Sequence, residues 1–401
     1  MNSLRPSFLQ LSLTAILVLL TNHTMAGEPL KVFLLVGQSN MQGHAKVSTL
    51  EHVGMDVETA PILAKIQDES GQPRVHKDVW ISYLSAGGEK SGQLTTGFGA
   101  DQNKIGPELT FGIYMQAALG EPILIIKTAW GGKSIHTDFR PPSAGPYVFN
   151  DAQIEQIKKR NKQDLATTKA EKAKATGHYY RLMVEHTKKV LGDIKRVYPD
   201  YDAQAGYELA GFVWFQGWND MVDRGVYPRR DQAGGYDQYS RVLEHFIRDV
   251  RNDFDAPGLP FVIGVMGAGG PVSKYLPDQK RYAGIHQNFR DAMAAPAKLP
   301  EFAGNVVAVN TENYWDQELT LLKSRESKIK QQSKTLQAEG NLSREELQAK
   351  QDELKKEEFS ERERKVLEVG ISNFAFHYLG SGKVMAEIGK GFAEAFQEIR
   401  K

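Results

Sequence analysis

The chemically most suggestive stretch lies close to the start of the chain. The apolar run Val32-Phe33-Leu34-Leu35-Val36 reads as a buried strand and leads directly into Gly37-Gln38-Ser39-Asn40-Met41-Gln42-Gly43. A serine at the handover from strand to helix has its N–H among the free donors of a helix start, a suitable place to stabilise an oxyanion. A nucleophile elbow would need glycine two residues after the serine, and Met41 stands there. A phosphate loop would need Gly-Lys-Ser/Thr at a fixed distance from Gly37, and none follows. A simple capped helix is the remaining alternative. Gly131-Gly132-Lys133-Ser134 resembles the end of a phosphate loop, but Lys127 occupies the position of its first glycine.

The ten histidines include no His-Glu-x-x-His and no pair spaced three or four apart, so neither a metal nor another cofactor is expected. His44 lies close to the serine turn and is expected either to touch substrate or to pack in the turn. His136 follows the glycine pair on a polar stretch and is a candidate for a substrate loop. Asp220 reads as a helix cap or as a site carboxylate.

These residues need a scaffold. Short apolar runs at Lys31–Val36, Pro122–Lys127, Ala210–Phe215, Pro260–Met266 and Asn305–Val309 read as buried strands. Amphipathic stretches at Leu109–Leu119, His178–Val197, Tyr236–Phe254 and Gln279–Ala294 separate them. This alternation predicts an α/β fold: a three-layer α/β/α sandwich on a parallel sheet of about five strands, with ligands at the strands' carboxyl ends.

Composition narrows the classes further. With 50 Lys+Arg against 49 Asp+Glu the net charge is +1, so no whole-chain field exists to hold nucleic acid. The absence of cysteine excludes disulfides and thiolate chemistry. Residues 1–26 read as a secretory signal peptide: Arg5, an apolar run from Phe8 to Leu20, and cleavage after Ala26. A secreted or periplasmic bacterial protein is therefore expected, with no membrane attachment after cleavage. Residues 27–401 then remain for the α/β fold, as one large domain with insertions or as two or three smaller ones.

Within it, Gln317–Val366 carries 23 charged residues in 50, and Leu322, Ile329 and Leu336 recur at intervals of seven. Ser343-Arg344-Glu345-Glu346 is a capping box that starts a second helix. A helical hairpin inserted over 317–366 is predicted, either a solvated arm, a lid or a contact for homo-oligomers. Gln156–Lys174 is a second charged stretch, read as an exposed insertion.

Taken together, several blocks resemble the SGNH (GDSL-type) hydrolases, in their sialate O-acetylesterase-like and acetyl-xylan-esterase-like branch. They are Gly37-Gln38-Ser39-Asn40-Met41, Ile105-Gly106-Pro107-Glu108-Leu109, Ala129-Trp130-Gly131-Gly132 with Ser134-Ile135, Trp214-Phe215-Gln216-Gly217 and His377-Tyr378-Leu379-Gly380-Ser381. The resemblance spans Leu30 to Phe396, apart from the charged insertions. It implies a flavodoxin-like fold in which Ser39 is the nucleophile and His377 the general base. The Ser39 N–H, Gly131, Gly132 and the Gln216 amide would form the oxyanion hole. Gln38, Asn40, Trp130, His136, Trp218 and Asn219 are the candidate substrate contacts.

Two departures stand out. Phe374 occupies the position, three before the histidine, where the family commonly has aspartate, which leaves Asp316, Glu312, Asp220 or Asn373 as third member, or a Ser-His dyad held by a backbone carbonyl. Trp218 replaces the glutamate that often follows Trp-x-Gln-Gly. The implied activity is a secreted esterase that removes acetyl groups from carbohydrates through a serine acyl-enzyme. The alternative is a carbohydrate-binding protein that keeps the cleft with reduced catalysis.

Overall fold

The computed structural model describes residues 27–160, 164–340 and 343–400. The signal-peptide reading of 1–26 therefore lies outside the described residues. Nine strands are formed among them: β1 (Leu30–Gly37), β2 (Ala45–Lys46), β3 (His76–Ser85), β4 (Gly88–Leu94), β5 (Lys104–Ile105), β6 (Ile123–Ala129), β7 (Tyr207–Phe215), β8 (Phe261–Val265) and β9 (Val306–Asn310). Seven build one sheet in the order β4-β3-β6-β1-β7-β8-β9, and β2 pairs with β5 beside it. Every pairing in the large sheet is parallel except β3 with β4.

The five expected strands form as β1, β6, β7, β8 and β9. The sheet is larger than expected because β3 and β4 were not foreseen. The reason is compositional: β4 (Gly-Glu-Lys-Ser-Gly-Gln-Leu) is an edge strand with polar, charged and glycine residues, which blunts further pairing but hides the strand pattern. β3 opens on His76-Lys77-Asp78 and shows its apolar character only from Val79.

Central β1 is buried at every position because both sheet faces are covered. On one face the helices Glu108–Leu119 and Gly382–Ile399 pack together, and the rings of Phe33, Phe111 and Phe396 meet edge-on at 5.4–6.0 Å. On the other, the helix Asp237–Asp253 sends Phe246 against Phe212 and Trp214.

A fully buried ion pair supports the end of β1. Lys127 on β6 donates to Glu108 Oε2 at 2.7 Å, to Gln42 O at 2.9 Å and to Phe98 O at 2.8 Å. Its ammonium also sits 4.4 Å from the Tyr83 ring centre, and Glu108 Oε1 accepts from the Gly106 N–H. Burial pulls the Lys127 pKa down while Glu108 opposes that shift. The bond to Gln42 O pins the turn that begins at Ser39.

The charged segment forms three helices where two were expected: Gln317–Gly340, Arg344–Glu358 and Glu361–Gly370. The predicted capping box at Ser343 and Glu346 is present, and a second joins Ser360 and Glu363, so the boundary at 366 falls inside the third helix. The segment is anchored at its root, where Leu319, Leu322, Ile329 and Phe359 are buried, while Leu336 towards the tip is exposed. Arg325 clamps the root by donating to Glu358 and Glu363 and lying over the Phe359 ring. Residues 156–174 contribute parts of the helices Asp151–Arg160 and Leu165–Ala175.

Lys127→Met should lower the unfolding free energy by about 3–5 kcal/mol, because it strands the Glu108 carboxylate in the core. Adding Glu108→Leu should recover part of that loss in the same chemical denaturation measurement. If the single substitution is neutral, the pair does not carry this role.

Candidate active site

Ser39 opens the short helix Ser39–Gln42 at the carboxyl end of β1, where its N–H has no acceptor within the helix. Gly37 is required by close packing: a Cβ there would lie 2.1 Å from Phe215 O and 2.8 Å from Met41 Cβ. The serine hydroxyl is nearly enclosed, and Gln38 Nε2 lies 3.4 Å from its Oγ. Next to it Asn40 is buried, with no hydrogen-bond partner for Oδ1 among the described residues.

The glycine block reaches the same place through β6. Gly131 and Gly132 are exposed after Ala129, and Gly132 adopts a positive φ of 74°, a conformation that favours glycine. Their N–H groups have no acceptor among the described residues. Trp130, expected at the sugar, is instead core: it is 4% exposed and packs on Phe139 and Tyr179. His136 is also withdrawn from the surface, enclosed by the rings of Tyr147 and Tyr227, and its Nδ1 has no partner among the described residues. Burial, with Arg140 and Lys172 nearby, lowers its pKa to about 3 and keeps it neutral.

Block three binds the other two together. Gln216 Nε2 is within reach of Asp220 Oδ2 (2.6 Å), Lys133 O (2.9 Å) and Gln38 Oε1 (3.1 Å), which engages both amide hydrogens within the protein. Gln216 is thus a brace between blocks, which corrects its expected place as a free oxyanion donor. Gln38 is equally committed: its Oε1 also accepts from the Gly217 and Asn219 N–H groups, and its Nε2 donates to Asn219 Oδ1 at 3.1 Å. On the third block the side-chain N–H group left open is Asn219 Nδ2, while Asn219 Oδ1 is held by Gln38. Asn219 Nδ2 donates to no described group and lies 4.0 Å from where a Cβ on Gly132 would be. Sequence reading placed Asn219 only among substrate contacts; the signal for more was its polarity immediately after the strand-end block.

Asp220 is fully buried and accepts from the Ile135 and His136 N–H groups, from Gln216 and from the Tyr227 hydroxyl. Burial pushes its pKa up to about 7 against those hydrogen bonds. It fixes the loop after Gly132 to β7 and does not serve His377. The other two carboxylate candidates are also used elsewhere. Glu312 pairs with Arg290, and Asp316 accepts from Lys383 Nζ at 3.2 Å and from the Leu319 N–H.

The group on His377 is an amide: Nδ1 lies 3.0 Å from Asn373 Oδ1, so the ring donates there as the Nδ1–H tautomer and leaves Nε2 free as a base. The turn Ala375–Gly380 that bears it packs against the Ser39 turn. Its backbone is forced, since Tyr378 and Leu379 have positive φ of 51° and 60°, at a cost of order 1–3 kcal/mol each. The buried Tyr378 hydroxyl holds it there through the Gly267 N–H (2.7 Å) and Thr311 Oγ1 (2.6 Å). His44 stacks flat on His377, with ring centres 4.1 Å apart and planes 3° off parallel. Burial, together with Lys104, lowers the His377 pKa to about 4; His44 also falls to about 4, through burial first and His377 second.

Residues 29–330 match the family model of the carbohydrate esterases described as sialic acid-specific acetylesterase. The chain belongs to that family. The match holds Ser39, both glycines and Asn219, while His377 lies beyond it. A solved protein from Arabidopsis thaliana is 19% identical, with 71% of this chain and 86% of that one covered and a TM-score of 0.39. A structure described as a novel carbohydrate acetylesterase from Xanthomonas citri is 15% identical, covering 70% of this chain and 49% of that one at a TM-score of 0.39. Curated proteins give no match.

Asn373→Asp would place a carboxylate on His377 Nδ1. It should raise the His377 pKa from about 4 by roughly 1–3 units, because an adjacent negative charge favours the imidazolium. NMR titration of the ring reads this directly; an unmoved titration would show that Asn373 does not face His377 in solution.

Proposed function

We propose that the protein is a secreted carbohydrate O-acetylesterase working through a serine acyl-enzyme. The observation that carries this reading is the convergence of Ser39, two open glycine N–H groups and the open Asn219 Nδ2 at the carboxyl ends of β1, β6 and β7, beside an imidazole whose Nδ1 is already engaged. In the reaction, Ser39 Oγ attacks the acetyl carbonyl as His377 Nε2 takes its proton. The carbonyl oxygen becomes an oxyanion held by the N–H groups of Ser39 and Gly132 and by Asn219 Nδ2. Collapse breaks the bond to the sugar oxygen, which leaves with the proton from His377. Water, deprotonated by the same imidazole, then releases acetate and restores the serine. The leader at 1–26 supports export, and the mature protein should begin at Gly27.

A second reading is a glycan-binding protein with weak turnover, and Asn373 favours it, since a neutral amide orients the imidazole without offsetting its charge. Kinetics on p-nitrophenyl acetate and acetylated sugars separate the two. Ser39→Ala should abolish acetate release, and Asn219→Ala should lower kcat about 100- to 1000-fold with little change in KM. Gln216→Ala should instead appear as a loss of thermal stability, consistent with its bracing contacts. Retention of wild-type turnover by Ser39→Ala would end the acyl-enzyme reading.

A further inference from the structure

The turn that carries His377 also begins a line of rings leading away from the serine. Phe374 and Phe376 are stacked at 5.3 Å and 12°, and Phe376 meets Trp218 at 5.5 Å. Trp218 lies 6.5 Å from His286, whose ring stacks on Tyr282 at 6.0 Å and 15°. Both ends of the line are open to solvent, with Phe374 69% and Tyr282 39% exposed. Two cavities, of about 160 and 420 Å³, share Trp218, Tyr282 and His286 as walls. The smaller is also lined by Ala375 and Phe376, which precede His377 on its turn, so the groove starts beside that imidazole.

Aromatic planes of this kind present apolar faces to the C–H faces of sugar rings. The larger cavity adds charge. Arg224 and Arg230 line it, Arg281 lies over the Tyr282 ring at 4.8 Å, and no described carboxylate pairs with any of the three. Arg230 spends one donor on Met221 O at 3.3 Å. His286 adds no charge, being held neutral by burial and by Arg290 and Arg230. Guanidinium groups left unpaired beside aromatic planes match carboxylates carried on sugar rings.

We propose that this groove is a subsite for a carboxylate-bearing glycan chain, holding the sugars that flank an acetylated residue inside a polymer. It rests on the acetylesterase reading and adds the form of its substrate. An open-ended groove accepts a chain that continues in both directions, whereas a single terminal sugar would leave Arg224, Arg230 and Tyr282 without a ligand.

The test uses the intact protein and acetylated galacturonate oligosaccharides of one to four residues, with acetylated xylotetraose as the neutral chain and p-nitrophenyl acetate as the small ester. From one to four acidic residues, kcat/KM should rise at least about tenfold, and the acidic tetramer should exceed the neutral one. Tyr282→Ala should raise KM for the acidic tetramer about three- to tenfold, as the loss of one stacking contact implies. The double variant Arg224→Gln/Arg230→Gln should remove the acidic preference. Rates independent of chain length would overturn the subsite, and equal rates on acidic and neutral tetramers would overturn its charge specificity. If no ester is hydrolysed at all, the esterase reading fails. The groove is then judged by calorimetric binding of the acidic tetramer, which Tyr282→Ala must weaken if the subsite is real.

Discussion

A single ammonium group buried under the Ser39 turn is the constraint on which the rest of the candidate site depends. Lys127 reaches from β6 beneath β1 and joins Glu108, Gln42 and Phe98, so three separate segments meet at one charge. Such an ion pair contributes little net stability against a well-packed apolar alternative, but removing one partner is expensive. Its value here is geometric. It ties the helix Glu108–Leu119, which packs on the C-terminal helix, to the turn that starts at Ser39. The serine position is thereby coupled to the packing of one whole sheet face.

Around this anchor, two amides and a carboxylate form a second, polar layer. Gln38, Gln216 and Asp220 bond to one another and to the backbone on either side. They draw the ends of β1, β6 and β7 together and hold Asn219 by its Oδ1, leaving its Nδ2 without an acceptor among the described residues. Asp220 could stay buried only because donors from three directions offset the loss of water, and even so its pKa rises. A carboxylate already balanced against burial is poorly placed to take on a distant histidine as well. His377 is correspondingly oriented by an amide, with a second imidazole lying against its face.

Much of this was legible in the sequence, and what was not has definite physical causes. Strands buried on both faces are continuous apolar runs, so β1, β6, β7, β8 and β9 were visible. β4 was hidden because an edge strand is polar for its own reasons. Lys127 sat inside an apolar run, where its type excluded a phosphate loop but gave no hint of a buried partner 19 residues away. Ser39 and the glycine pair were marked by their place at strand ends. Residue type alone could not separate Gln216 from Asn219, because an amide that donates to substrate and one that braces a loop differ only in which acceptors surround them. The same limit applied to Trp130 and His136, whose burial depends on packing from residues such as Tyr179 and Tyr227.

The forced turn after His377 has a consequence for the order in which the protein becomes competent. The serine turn is translated early, yet the imidazole is aimed at it only when Tyr378 is seated on Gly267 and Thr311 and the helix Gly382–Ile399 has docked. A nascent or truncated chain that ends within the charged helices holds the Ser39 turn without the imidazole of His377. Assembly of the candidate site therefore waits on the last-translated segment, whose seating holds Tyr378 and Leu379 in their positive-φ conformation.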